Sequence, residues 1–358
     1  MSTVGIVGLP NVGKTTLFNA LTGREAATAP HPFSTVEPNV GVAGVPDPDL
    51  ERACGLEGCA KLVYATLELL DLPAMSGPGD HGLAAQFLGR LREMEALAVV
   101  LRAFEDESVP SGESGTDPVE QAESLLLELA LADAEVFGRR SEKAAKEASA
   151  DPSKRSGAEA VARAAAHLEE GHALRTREWD DRALAAFRDL APLTLKPAVW
   201  VVNVSEDEAD PEALAGAVAE VVPAGDTVVT LSARLEEEGS RLDPDDRAEL
   251  FEGLGLGEGA LAKVVHATHG ALGLVVFYTL GPREAHAWTV RRGASAREAA
   301  GKIHSDLERG FIRAEIAAMH DVLEAGGWDE AKAAGAIRLE GKDYTVADRD
   351  VMLVRFSV

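Results

Sequence analysis

One octapeptide constrains this chain more than any other feature. Residues Gly8-Leu-Pro-Asn-Val-Gly-Lys-Thr15 follow the apolar run Thr3-Val-Gly-Ile-Val7 and precede the amphipathic stretch Thr16-Leu-Phe-Asn-Ala-Leu21. The pattern G-x-x-x-x-G-K-[ST], set between a short strand and a helix, describes a backbone that wraps a polyphosphate. Gly8 and Gly13 permit the φ/ψ values that turn several N–H groups inward, and the helix N-terminus adds its positive end. Lys14 is placed to reach the β- and γ-phosphates, and the Thr15 hydroxyl to meet Mg²⁺. Asn11, Val12, Gly13, Lys14, Thr15 and Thr16 are the expected phosphate-side residues. A chain built around this element binds a nucleoside triphosphate.

At 358 residues the chain has room for two or three domains. To about residue 110, strand-like and helix-like runs alternate, as in an α/β sheet with crossover helices. Thr66-Leu-Glu-Leu-Leu70 reads as a strand ending at Asp71, and Leu97-Ala-Val-Val-Leu101 as another. From Asp117 to about Ala191 apolar residues recur at helical spacing (Leu125, Leu129, Ala132, Val136), interrupted by Pro152, Ser153, Ser156 and Gly157. That pattern predicts a long helical hairpin with its turn near 151–157. The hairpin either presents charged faces to a partner or packs only on itself. Strand character returns at Ala198-Val-Trp-Val-Val202 and Thr227-Val-Val-Thr-Leu231, which makes the hairpin an insertion. After Ala271, short strands around one helix suggest a β-grasp-like α+β module. The expected organisation is a P-loop nucleotide-binding domain over 1–116 and 192–272, an inserted helical domain over 117–191, and a C-terminal module over 273–358.

Net charge is −25, which argues against non-specific coating of nucleic acid. Val275–Val358 carries 12 Lys/Arg against 13 Asp/Glu, so RNA contact is more plausible there than elsewhere. Trp288, Arg291, Arg292, Lys302 and Arg309 offer an aromatic and several cations to an RNA backbone, though Trp288 reads first as a core residue. No apolar stretch reaches bilayer-spanning length, and the N-terminus runs straight into a strand, so the cytoplasm is the expected location. Cys54 and Cys59 lack the second pair that a zinc site needs and are expected as ordinary thiols. The acidic run Glu236-Glu-Glu238 reads as a solvated helix face and is assigned no metal.

The base is read where strand 198–202 ends, at Asn203-Val-Ser-Glu206. Guanine-specific proteins of this class carry Asn-Lys-x-Asp there, because the aspartate accepts both hydrogens of guanine's N1–H and 2-amino group. Here Val204 replaces the lysine and Glu206 the aspartate, so guanine's bidentate partner is not reproduced. Asn203 can hold the loop and contact the purine, while Ser232 and Ala233 would close over the base.

Taken together, these residues resemble the YchF subfamily of Obg-like ATPases over nearly the whole chain. Pro32-Phe-Ser-Thr-Val-Glu-Pro-Asn-Val-Gly41, Phe104-Glu-Asp-Glu107, Leu129-Ala-Leu-Ala-Asp133 and Ser232-Ala-Arg-Leu-Glu-Glu-Glu238 carry the likeness. Ala287-Trp-Thr-Val290, Ala299-Ala-Gly-Lys-Ile-His304, Glu308-Arg-Gly-Phe-Ile312 and Leu339-Glu-Gly-Lys342 are similar to the family's TGS domain. The resemblance implies a Ras-like G domain interrupted by a helical coiled coil and followed by TGS. It also implies ATP preferred over GTP, slow Mg²⁺-dependent hydrolysis, and action on ribosomes or ribosomal RNA, in translation or stress response, through the helical and TGS domains. Thr35 matches the switch I threonine that meets Mg²⁺ and the γ-phosphate; otherwise it is a polar loop residue. Asn11 stands where potassium-activated relatives place an asparagine beside the phosphates, which adds K⁺ as a candidate second cation.

The second switch departs from the family pattern. Asp71 suits a water-mediated Mg²⁺ role, but the following glycine is replaced by Ala74 behind Pro73. Met75 occupies the position of a water-orienting glutamine and cannot position a nucleophile. His81 reads as a solvated loop residue, with water orientation as its alternative role. Three functions therefore stand side by side: an ATP-hydrolysing switch, a nucleotide-binding scaffold with little turnover, and a GTPase. Oligomeric state is left open.

Overall fold

A computed structural model of the chain describes residues 2–24, 26, 38–73, 81–106, 115–254 and 259–357. The first elements are β1 (Thr3–Val7), α1 (Lys14–Thr22), β2 (Asn39–Gly44), α2 (Pro48–Glu57), β3 (Leu62–Val63), β4 (Thr66–Asp71), α3 (His81–Glu93) and β5 (Ala96–Ala103). α4 (Pro118–Ala150), α5 (Arg155–Glu169) and α6 (Asp181–Phe187) precede β6 (Ala198–Val204), α7 (Pro211–Val221) and β7 (Thr227–Leu231). Then come α8 (Ala233–Ser240), α9 (Pro244–Gly253) and α10 (Leu261–Ala271). The last stretch holds β8 (Leu274–Thr279), β9 (Ala285–Arg291), α11 (Ala296–Ile303), α12 (Ser305–Arg309), β10 (Phe311–Ala318), α13 (Met319–Ala325), α14 (Trp328–Ala333), β11 (Arg338–Glu340) and β12 (Asp350–Phe356).

The first sheet runs β2-β4-β1-β5-β6-β7. β1 lies parallel to β4 and β5, β5 to β6, and β6 to β7. Strands buried on both faces read as near-continuous apolar runs; all of β6 and all but the last residue of β5 are buried, with Arg102 and Asn203 as their polar members. Register then places the site. Ile6 pairs with Asp71, Arg102 with Asn203, and Asn203 with Leu231. Gly8, Asp71, Asn203 and Ser232 therefore share the carboxyl edge of the sheet, where ligands of open α/β sheets bind.

Asp117 caps α4, accepting from the Val119 and Glu120 N–H groups, with Pro118 at the first helical position. The first half of α4 buries Ala122, Leu125 and Leu129 in one core with Leu97, Trp200 and Val202. Further along, Ala130 and Phe137 pack with Ala160, Val161, Ala164 and Leu168 of α5 and with Phe187. Asp151 Oδ1 accepts from Ser153 N (3.0 Å) and Ser153 Oγ (2.7 Å), which sets the turn between α4 and α5 within the expected stretch. The Asp133 carboxylate, fully buried, accepts from Leu193 N (3.1 Å), Thr194 N (2.8 Å) and Thr194 Oγ1 (2.8 Å), and pairs with Arg92 at 2.8 Å. That network pins the returning chain to α4.

The chain divides into two compact units, one made of Ser2–Val42 with Glu68–Thr268, the other of Ala43–Leu67 with His269–Val358. Ala43–Leu67, which lies inside the segment read from sequence as nucleotide-binding, packs with the C-terminal module in this structure. There Tyr278 donates to Asp47 Oδ2 at 2.6 Å, and β3 pairs parallel with β9. The second sheet runs β11-β10-β12-β8-β9-β3. α11 starts with a reciprocal Ser295–Glu298 capping box and buries Ala296 and Ala299 in the core with Phe277, Ile316 and Met352. Trp288 is half-buried against that core, and its Nε1 donates to Thr279 Oγ1 at 3.0 Å. Cys54 and Cys59, expected as separate thiols, are joined as a disulfide. Gly58, in the left-handed region at φ 60°, reverses the chain past the end of α2 and brings the two Cα atoms to 5.1 Å.

Candidate nucleotide site

The loop after β1 has the backbone that its sequence demands. Gly13 has φ 95° and hands over directly to α1, whose N-terminus carries no side-chain cap. A Cβ on Gly13 would sit 2.3 Å from Asn203 Nδ2, and one on Gly8 would sit 2.4 Å from the Val100 carbonyl. Asn11 takes φ 61°, a region that asparagine tolerates better than most residues. Leading N–H groups of a helix have no intrahelical acceptor, so the start of α1 offers donors to an anion.

Lys14 is buried and donates from Nζ to the Leu9 (2.8 Å) and Gly8 (3.2 Å) carbonyls. Burial pushes its ammonium down to about 8, with the nearby Asp71 charge opposing the shift. Thr15 Oγ1 donates to Asp71 Oδ2 at 2.8 Å, and Asn39 Nδ2 donates to the same oxygen at 3.2 Å. Burial raises the Asp71 carboxyl above its ordinary range; the bonds from Thr15 and Asn39 and the Lys14 charge work against that rise. Leu72 continues the ladder beyond Asp71, donating from its N–H to Ile6 O at 3.2 Å, as extended backbone before Pro73 requires. Thr16 follows Thr15 in the first turn of α1.

Hard oxygen donors at the end of a strand and the start of a helix suit Mg²⁺, which takes one or two carboxylates and completes its shell with water and phosphate. A buried carboxylate whose nearest cation is one desolvated lysine fits a second positive charge. Among the described residues no group of three His, Cys, Asp or Glu forms a self-contained metal cage.

On the side expected to face the purine, Asn203 is buried and both ends of its carboxamide bind protein. Nδ2 donates to Val12 O at 2.9 Å, and Oδ1 accepts from Ala233 N at 2.9 Å. The Ala233 N–H, expected over the base, is thus given to Asn203. Val12 enters through its carbonyl, its side chain being buried. Ser232 Oγ caps α8, accepting from Leu235 N at 3.3 Å. Val204 ends β6 with its side chain in the core. Glu206 is half-exposed and pairs with Arg234 at 3.7 Å, so the carboxylate in the guanine-reading slot already faces a cation.

Thr35, Ala74, Met75 and Glu107 lie outside the described residues, as does the side chain of His81. Sequence reasoning quoted Asn39 only as part of a longer match, and it gave no role to Asn19 or Glu237. Asn19, buried on α1, clasps Ala26 from both sides: its Oδ1 accepts from Ala26 N (2.8 Å) and its Nδ2 donates to Ala26 O (3.0 Å). Nδ2 also donates to Glu237 of α8 at 3.0 Å. An asparagine set within the apolar run Leu17-Phe-Asn-Ala-Leu21, on the helix after a phosphate loop, was the available signal.

The chain is similar to known proteins along its length. Residues 3–132 match the family described as 50S ribosome-binding GTPase, and residues 274–357 match the YchF-GTPase C-terminal family, described as a protein of unknown function (DUF933). The chain is 39% identical to the ribosome-binding ATPase YchF of Bacillus subtilis (strain 168), over 99% of each chain. It is 32% identical to Obg-like ATPase 1 of Pongo abelii, covering 99% of this chain and 92% of that protein. The solved YchF GTPase of Schizosaccharomyces pombe superposes with a TM-score of 0.85 at 28% identity, covering 99% and 97% of the two chains. With full-length identity at that level, and a phosphate loop, strand register and C-terminal sheet that fit it, the chain belongs to the YchF/Obg-like ATPase family.

Proposed function

We propose that this protein is a Mg²⁺-dependent ATPase switch that prefers ATP to GTP, turns over slowly and acts on the ribosome. The observation that carries it is the pairing of a complete phosphate loop with a Val204–Glu206 turn that lacks the guanine-reading lysine and aspartate and whose exposed carboxylate lies 3.7 Å from Arg234. The names of the bacterial relatives, ribosome-binding ATPases, support the partner.

Lys14 and the α1 N-terminus would bind the β- and γ-phosphates, Asn11, Val12, Gly13 and Thr16 would shape the loop around them, and Thr15, Thr35 and Asp71 would hold Mg²⁺. The metal would supply charge neutralisation across the phosphate oxygens. Asn203 and Ala233 together would fix the purine-side wall, with Ser232 setting the start of α8. We assign the nucleotide-binding domain to 1–116 and 192–272, apart from Ala43–Leu67, which packs with the C-terminal module, the helical domain to 117–191 and the TGS domain to 273–358, the last two as the ribosome or ribosomal RNA contacts. Among the described residues no helix is long and apolar enough to cross a membrane; we place the protein in the cytoplasm, where ribosomes are.

Calorimetric titration with ATP and GTP side by side tests the base: equal affinity, or tighter GTP, overturns the preference. Phosphate release with and without ribosomes tests turnover. The sequence Asp71-Leu-Pro-Ala-Met75 favours a second reading, a nucleotide-binding scaffold, and release that stays at background in both conditions would select it. K⁺ enters through Asn11; equal turnover in KCl and NaCl removes it.

A further inference from the structure

Asp71 accepts two hydrogen bonds on one oxygen, and the donors come from different elements. Thr15 reaches Oδ2 from α1 at 2.8 Å, and Asn39 reaches it from the first residue of β2 at 3.2 Å. β2 neighbours β4 in the sheet, and the bond from Asn39 joins the start of β2 to Asp71 at the end of β4. Two donors on a single carboxylate oxygen resist rotation of the group, and a buried carboxylate gains most from such bonds. The chemistry of the second donor matters. An amide is neutral, so it orients Asp71 without cancelling the charge that a divalent cation needs; a lysine or arginine at this place would compete with the metal.

We infer that Asn39 is a positioning residue for the divalent cation, holding the Asp71 carboxylate in the plane that the hydrated metal uses. This inference rests on the reading that a Mg²⁺-nucleotide occupies the loop. Residues that orient a metal's partners typically change metal affinity by about 10–100-fold when removed. With Mg²⁺ also held by phosphate, the lower end applies.

The test compares ADP affinity in excess MgCl₂ and in EDTA, by calorimetry, for the wild-type chain and Asn39→Ala. The ratio of the two affinities is the metal's contribution, and a merely structural role for Asn39 would not move it. In the variant the ratio is expected to fall about 10-fold while affinity in EDTA stays within about two-fold. A chase with EDTA should release metal faster from the variant. If Asn39→Ala does not melt cooperatively, Asn39→Leu, which fills similar volume without a donor, takes its place. An unchanged ratio, or equal losses with and without metal, overturns the positioning role. A wild-type ratio near one would instead overturn the Mg²⁺-nucleotide reading beneath it.

Discussion

Substituting Gly13→Ala should disable the nucleotide site through one identifiable collision. Gly13 holds φ 95°, where an alanine costs about 1–2 kcal/mol. The added methyl would lie 2.3 Å from Asn203 Nδ2, well inside contact distance, so the carboxamide has to move. Moving it breaks the bonds to Val12 O and from Ala233 N, both 2.9 Å and both buried. A buried polar group left without a partner costs about 1–3 kcal/mol. With two such bonds lost the total is about 3–8 kcal/mol, divided between the stability of the unit and the geometry of the phosphate loop. If half falls on binding, ADP affinity drops about 10–1,000-fold. Calorimetry and thermal melting on Gly13→Ala, Asn203→Ala and the double variant separate the terms. Removing the Asn203 side chain also removes the obstacle, so the second substitution should cost about 1–3 kcal/mol less in the Gly13→Ala background than in the wild type. Strict additivity would refute the collision.

Other expectations follow from charge and burial. Lys14, held near 8 in the free protein, must be charged to bind phosphate, so ADP binding above pH 8 should take up protons, with an enthalpy that depends on the buffer's ionisation heat. Between about 8 and the unfolded value of 10.5 the unfolded chain holds more protons at this site, so its contribution to stability rises with pH across that window; Lys14→Met should abolish both effects. Asp133→Ala leaves the Arg92 guanidinium with the Ala132, Leu190 and Ala191 carbonyls but without this counter-charge, strands the Leu193 and Thr194 N–H groups, and should cost about 3–5 kcal/mol in urea unfolding followed by circular dichroism. Glu206→Asp shortens the carboxylate away from Arg234 and restores the residue that reads guanine. It should shift the GTP-to-ATP affinity ratio toward GTP by about 10-fold, measured by competition with a fluorescent nucleotide.

What could be read from sequence was governed by how local its cause is. The phosphate loop is a contiguous pattern whose glycines answer to backbone angles, and β5 and β6 are contiguous apolar runs, so both were legible. The hairpin was legible because apolar spacing and a Pro-Ser turn are local as well. Bonds across distant segments were not. Nothing near Asn39 in the chain announces Asp71, 32 residues on, and nothing near Ala233 says that its N–H is consumed by Asn203. The association of Ala43–Leu67 with the C-terminal module depends on partners such as Tyr278 and Ala285 that lie more than 200 residues away. The Cys54–Cys59 pairing escaped for a different reason: five residues of helix would hold the thiols apart, and only the reversal at Gly58 closes the gap.

The side proposed for the purine and the loop proposed for phosphate share one support, and that bears on how the proposed site would respond to ligand. α8 packs against α1. At its first residue the Ala233 N–H fixes Asn203, whose other end fixes the phosphate loop at Val12. One turn later, Glu237 accepts from Asn19, and Asn19 clasps Ala26 just after α1. A displacement of α8 therefore strains both the loop that encloses phosphate and the exit from the helix that follows it. Buried, fully satisfied networks of this kind yield as units, because a half-broken one leaves unpaired polar groups in a low dielectric. On that basis we expect the proposed choice of purine and the proposed grip on phosphate to be coupled. A substitution on the Asn203–Ala233 side should appear in metal-free phosphate affinity as readily as in base preference.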